Sequence, residues 1–389
     1  MTTPTSARPR RRRLPWILAG VSAFVALGII AAFVVPPLIA HRDAEAAYAD
    51  AIAARDDARV EWDEARAALD DERAPVEDVV TRAEAVAIDE VKLYLDEALW
   101  EEVVQLVDEV AEIEQGIPDS DDAPVVEATE APEDIEALRE ATDRARDAAE
   151  TYEDGAAGFA AAAESLAAVV PRLAETTASL RGTITETADR LEEENISAES
   201  VTRIRMHSAA RLAATSEEHV STYVAQYAAR AHEVEESQAA ELAEKDQGDG
   251  LMEVRLEIED FVRSITGAAR VDFDWAPIVN GLGDGVSAGG VVEWQYSDGG
   301  YATMTLSNSV AAYWPDERFE SLVVHESGHV ITSQCRDMLL ETFDGDVELM
   351  ATAWAIGMGY TNTWGNGVDF YYSGTWPPDD LIEASKDCR

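Results

Sequence analysis

The stretch from about Ala44 to about Lys245 restricts the fold most: it is rich in Ala, Glu, Asp and Arg, with almost no glycine and few aromatics. Such a composition builds long helices, because Ala and straight-chain residues lose little freedom in a helix while strand formers are scarce. Apolar residues recur at spacings of three and four. One set is Ile88, Val91, Leu95, Leu99, Val103, Leu106, Val110 and Ile113; a second is Leu166, Val170, Leu173, Leu180, Ile184 and Leu191. A seam this narrow suits coiled-coil packing, and its many alanines let helices approach closely. The run is interrupted by a loop at 116–132, which contains Pro118 and Pro124, and by a break at 194–197. Three helical arms result, and short connections favour an antiparallel bundle or stalk with scope for self-association. Pro75 and Pro171 each remove a backbone donor and are expected to kink or divide their arms. No repeat of about 20–50 residues is visible, which excludes a solenoid.

Charge sets the next limits. The chain carries a formal net charge of -48, so it repels phosphate backbones and nucleic acid is not an expected partner. The basic residues Arg8 and Arg10 to Arg13 stand directly before an apolar run at 14–40, in which only Ser22 has a polar side chain. About 20 such residues cross a hydrocarbon core of about 30 Å. Arginines retained on the cytoplasmic side place the following residues outside the cytoplasm. A cleaved signal peptide has a shorter apolar region, ending at a small-x-small site that Leu38-Ile39-Ala40 matches poorly. The reading is therefore a basic cytoplasmic tail (1–13), a single-pass membrane anchor (14–40) and an acidic helical region (41–247).

After Gly248-Asp249-Gly250 the composition changes. Residues 251–389 hold six of the nine Trp, six of the eleven Tyr and fifteen of the twenty-three Gly, as a separate globular domain with an aromatic core would. The expected order is an amphipathic helix from Leu251 to Thr266, a strand around Arg270 to Trp275, and a hairpin of Val291 to Tyr296 with Tyr301 to Ser307. A helix carrying His325 follows, then another from about Asp346 to Ile356. The fold class is thus mainly α, ending in a small α+β domain with a β-hairpin and two site helices. Cys335 and Cys388 both fall in this domain, and an extracytoplasmic address permits a disulfide between them.

The chemistry concentrates in His325-Glu326-Ser327-Gly328-His329. Residues four apart lie on one helix face, so both imidazoles can reach one Zn²⁺, with Glu326 beside them as a general base. An open metal site needs a third protein ligand. No histidine follows His329, and Cys335, six residues on, points away at about 240° round the helix. Glu348 on the next helix is the best candidate, with Asp344 and Glu341 in reserve.

These residues resemble the gluzincin branch of zincin metallopeptidases, in which H-E-x-x-H is completed by a Glu some eighteen or more residues downstream. His325, Glu326, His329 and Glu348 match in type, order and spacing, and the resemblance covers residues 290–360. It implies Zn²⁺ as cofactor, a peptide or protein as substrate, and a small sheet whose edge strand holds an extended peptide, a role assigned to Tyr301 to Ser307. Gluzincins often place Asp four residues after the ligand Glu, to support a ligating His; Thr352 stands there. Zincins commonly add a Tyr or His to stabilise the oxyanion, and Tyr360, Tyr371 and Tyr372 are available. Trp364-Gly365-Asn366-Gly367 and Trp376-Pro377-Pro378 are assigned to the far wall of the cleft.

Two functions follow as expectations. One is a membrane-anchored extracytoplasmic zinc metallopeptidase. The other is a coiled-coil interaction protein of the cell envelope whose zincin-like domain is degenerate, a reading favoured by the missing Asp.

Overall fold

The computed structural model describes residues 35–119, 123–124, 131–248, 250–295 and 300–388. Most of the expected anchor, residues 14–34, lies outside them, as do the basic residues before it. The chain forms two compact units, one of Met1–Val80 with Leu106–Leu173, the other of Thr81–Gln105 with Ala174–Arg389. The composition change at residues 247–251 falls inside the second unit.

The long helices follow from the alanine-rich composition. They are α1 (Val35–Arg73), α2 (Val76–Glu84), α3 (Glu97–Gly116), α4 (Ile135–Gly182), α5 (Ile184–Glu194), α6 (Ser200–Thr215) and α7 (Val220–Lys245). Pro75 divides α1 from α2, whereas α4 continues through Pro171. The first apolar set is not one helix. Val91 lies in a 3-10 helix, Asp89–Tyr94, and Leu95 caps it in an extended conformation, yet both are buried. Three-residue spacing satisfies a 3-10 turn as well as an α-helix, so burial was legible there and the break was not. The run Ile135–Glu194 includes a window of mean hydropathy 1.2, long and apolar enough to cross a membrane by length and composition.

In the first unit, Trp62 is buried edge-on to Tyr152 and Phe159, with ring centroids 6.0 and 5.3 Å away. A β-carbon at Gly155 would lie 2.7 Å from Trp62 Nε1, so the glycine makes the recess that receives the indole.

The second unit holds the sheet. Helix α8 (Met252–Thr266) precedes β1 (Val271–Ala276), β2 (Gly290–Gln295) and β3 (Tyr301–Ser307). Then come α9 (Asn308–Tyr313), α10 (Glu317–Gln334), α11 (Arg336–Glu341), α12 (Val347–Gly357), α13 (Val368–Tyr372) and α14 (Asp379–Ser385). The expected hairpin forms, with Val291 opposite Thr305 and Gln295 opposite Tyr301. β1 adds to its far side, parallel to β3, giving the order β1-β3-β2.

Alternation along β1 and β3 turns Val271, Phe273, Trp275, Ala302, Met304 and Leu306 into a core with Ile258 and Val262 of α8 and Phe319, Val323 and Val330 of α10. The opposite side of α10 supplies Val324 and Ile331 to a second core with Met350, Ala353 and Trp354 of α12. Helix α10 is therefore enclosed on two sides, which accounts for its nearly continuous burial from Val323 to Thr332. Cys335 and Cys388 form a disulfide that ties the end of α10 to the end of the chain.

Among the described residues β1 and β2 are the two edge strands of this sheet. Asp272 of β1 accepts hydrogen bonds from the Ser200 amide and hydroxyl at 2.8 and 2.6 Å, and Glu244 of α7 accepts from the Trp275 amide at 3.4 Å. These contacts tie β1 to the helices before it. β3 is bonded on both sides, so it cannot hold a peptide as expected; β2 is the edge strand beside Glu326. The expectation failed because period-2 alternation identifies a strand and says nothing of its rank in a sheet.

Candidate metal centre

Two capped helices carry the site. Asp316 accepts from the Arg318 amide at the start of α10, and Asp346 accepts from the Leu349 amide at the start of α12. The helices meet at Gly328, where a β-carbon would fall 2.8 Å from the Ala351 Cα. This close approach brings Glu348 Oε2 to 3.2 Å from His325 Nε2 and 3.3 Å from His329 Nε2.

The three ligand atoms lie within 4.8 Å of one another, and they form the one such His, Cys, Asp and Glu cluster among the described residues. Ligands about 2.0–2.2 Å from a tetrahedral Zn²⁺ lie about 3.3–3.6 Å apart. The observed separations of 3.2 and 3.3 Å are close to that edge length. Two imidazoles and one carboxylate are also a donor set that suits zinc and leaves a fourth position open. Asp344 and Glu341 are outside the cluster.

His325, His329 and Glu326 are buried, while Glu348 is half-buried. Burial raises the Glu326 carboxyl above the usual range, and the neighbouring histidines only partly oppose it. Burial also acts to raise Glu348, but hydrogen bonds from both histidines outweigh it and hold that carboxyl well below the usual range. For His329 burial acts downward, and the Glu348 hydrogen bond with the nearby carboxylates raises it overall.

Glu326 faces the edge strand. A β-carbon at Gly290 would lie 2.5 Å from Glu326 Cγ and Oε1, so the first residue of β2 leaves space that the carboxylate fills. Further along β2, Trp294 Nε1 donates to the His329 carbonyl at 2.9 Å.

The tyrosines separate by position. Tyr371 stacks on His325 with ring centroids 5.7 Å apart and an interplanar angle of 16°. Burial, then the charges of Glu348 and Glu326, raise its phenol well above the ordinary value and keep it protonated. Tyr372 donates to Asp346 at 3.4 Å, and Tyr360 packs edge-on against Phe261. Trp364-Gly365-Asn366-Gly367 does not form a far wall. It lies behind His325, whose Nδ1 is 3.1 Å from the Asn366 carbonyl and 3.4 Å from Thr352 Oγ1.

Gly290, Gly328 and Trp294 were given no role from sequence, and Asn366 was placed only in a cleft wall. A glycine inside a helix signals a close approach, as Gly328 does; no local pattern marks Gly290 or Trp294, and only the flanking glycines mark Asn366. No family model matches the chain, and no curated protein or solved structure matches it.

Proposed function

We propose that the chain is a zinc-dependent metallopeptidase. The observation that carries this reading is the convergence of His325 Nε2 and His329 Nε2 on Glu348 Oε2, with the buried Glu326 on the same helix packed against the edge strand β2. Zinc, when bound, supplies a Lewis acid and a water of lowered pKa. Glu326, with its raised affinity for a proton, takes one from the attacking water and returns it to the leaving amine. The free side of β2 aligns an extended peptide by main-chain hydrogen bonds, with Gly290 beside the base. Tyr371 is the best placed of the three tyrosines to donate to the developing oxyanion.

The anchor reading adds location. The basic and apolar N-terminal sequence tethers the enzyme to the membrane, and the Cys335–Cys388 disulfide suits an oxidising exterior. The long helices between anchor and site in the sequence serve as a stalk. The scaffold alternative drew its support from Thr352; the Asn366 carbonyl reaches the nitrogen that a carboxylate there would serve.

The test is Glu326→Gln in the full chain. It is expected to retain one zinc per chain and lose peptide cleavage by about 10²- to 10⁴-fold. A folded full chain that takes up no zinc, or a Gln variant that cleaves at the original rate, overturns the reading.

A further inference from the structure

In this chain the support for a metal-ligating histidine comes from a loop backbone. The Asn366 carbonyl lies 3.1 Å from His325 Nδ1. A carbonyl only accepts, so the contact requires Nδ1 to carry a proton and leaves Nε2 as the nitrogen that faces Glu348.

Several features hold that carbonyl in place. The Asn366 side chain is fully buried, and its amide donates to the Tyr360 carbonyl at 3.1 Å while its oxygen accepts from the Val368 amide at 3.1 Å. A β-carbon at Gly365 would fall 2.1 Å from the Arg318 carbonyl, so the loop lies directly on α10. Gly367 has φ of 89°, and a β-carbon there would meet Thr352 Oγ1 at 2.8 Å and His325 Cε1 at 2.9 Å. The same segment continues into Tyr371, whose ring covers one face of the His325 imidazole. One stretch of chain thus fixes the ring at its far nitrogen and across its face.

The geometry points to Asn366 as a positioning residue: its buried side chain locks the 364–367 loop so that its carbonyl orients His325, a task that falls to a carboxylate, a carbonyl or a water in zinc sites generally. This inference rests on the metal reading, and two readouts keep the two separable. The first is a protected Nδ1–H signal of His325, observed by nitrogen-15 NMR of the zinc-free full chain and assigned with His325→Gln. The second is zinc affinity, measured with Zn²⁺ itself against a competing chelator.

Asn366→Ala is expected to lose the protected proton and to weaken zinc binding by about 10- to 100-fold, the usual effect of removing a partner that orients a ligand. Adding Thr352→Asp places a carboxylate near the same nitrogen, and the double variant is expected to recover most of the affinity. Gly367→Ala, which displaces the loop while leaving the Asn366 amide in place, is expected to match the Asn366→Ala loss. Unchanged affinity with the Nδ1–H still protected in both single variants overturns the inference, as does a loss that Thr352→Asp leaves uncorrected in a protein that unfolds at the original temperature. If the wild-type chain binds no zinc, the metal reading fails, and the Nδ1–H signal still decides whether the loop holds His325.

Discussion

A β-carbon at Gly328 would lie 2.8 Å from the Ala351 Cα and 2.9 Å from its carbonyl oxygen, both parts of a backbone that cannot rotate aside. Helix propensity alone makes Gly328→Ala stabilising by about 1 kcal/mol. Overpacking against a helix costs about 1–3 kcal/mol, so the clash is expected to win. Gly328→Ala should therefore lower the melting temperature and weaken zinc retention together, because the separation of α10 and α12 sets the reach of Glu348; a rise in melting temperature contradicts the account. Elsewhere in the unit, Glu192 accepts from His207 Nε2 at 2.6 Å and faces Arg203 and Arg270. The His207 hydrogen bond outweighs burial and holds that carboxyl below the usual range. A depressed folded pKa stabilises above the unfolded value, about 4.3 for Glu, and that stability is lost as pH falls through the folded value. Denaturant unfolding measured from about pH 6 to pH 3 should show a shallower acid decline in Glu192→Gln than in wild type.

At the scale of elements, the disulfide closes a loop of sequence separation 53 that contains α12 and the loop behind His325. In the chain-entropy account such a closure contributes about 4 kcal/mol. Replacing both Cys335 and Cys388 by Ser is expected to cost about 2–5 kcal/mol, with Glu348 held less firmly; thermal unfolding with and without zinc measures both effects. Much at this scale was legible. Period and composition identified α8, α12 and the hairpin, and the i, i+4 spacing of His325 and His329 placed both on one helix face. Strand rank was not legible, since β1 joins β3 through contacts that no local pattern encodes. The Asn366 carbonyl was hidden for a related reason: a backbone atom leaves no mark of its chemistry in residue type, and only the glycines at 365 and 367 hint at tight passage.

For the whole molecule, the formal charge of -48 acts on whatever approaches it. A cationic peptide should be cleaved with a kcat/KM that falls as salt rises from about 10 mM to about 200 mM, whereas a neutral peptide of equal length should change little. Equal salt dependence for the two would remove the field from the account. The second unit also has an ionic interior. Buried Lys245 lies 2.8 Å from Glu241 and 3.7 Å from the fully buried Glu259, which Arg263 and Trp275 Nε1 also reach at 3.1 Å. Arg255 donates to the carbonyls of Lys245 and Gln247 at 2.7 Å. Composition invites a cut just before Leu251, yet a fragment starting there would leave Glu259 only Arg263 and Trp275 and would strip the buried Arg255 of two acceptors, and a buried charged group that loses its hydrogen-bond partners is costly. For anyone wishing to excise the candidate metal site, or any protease nicking the chain near Gly250, the helix ending at Lys245 travels with the site as part of its keel.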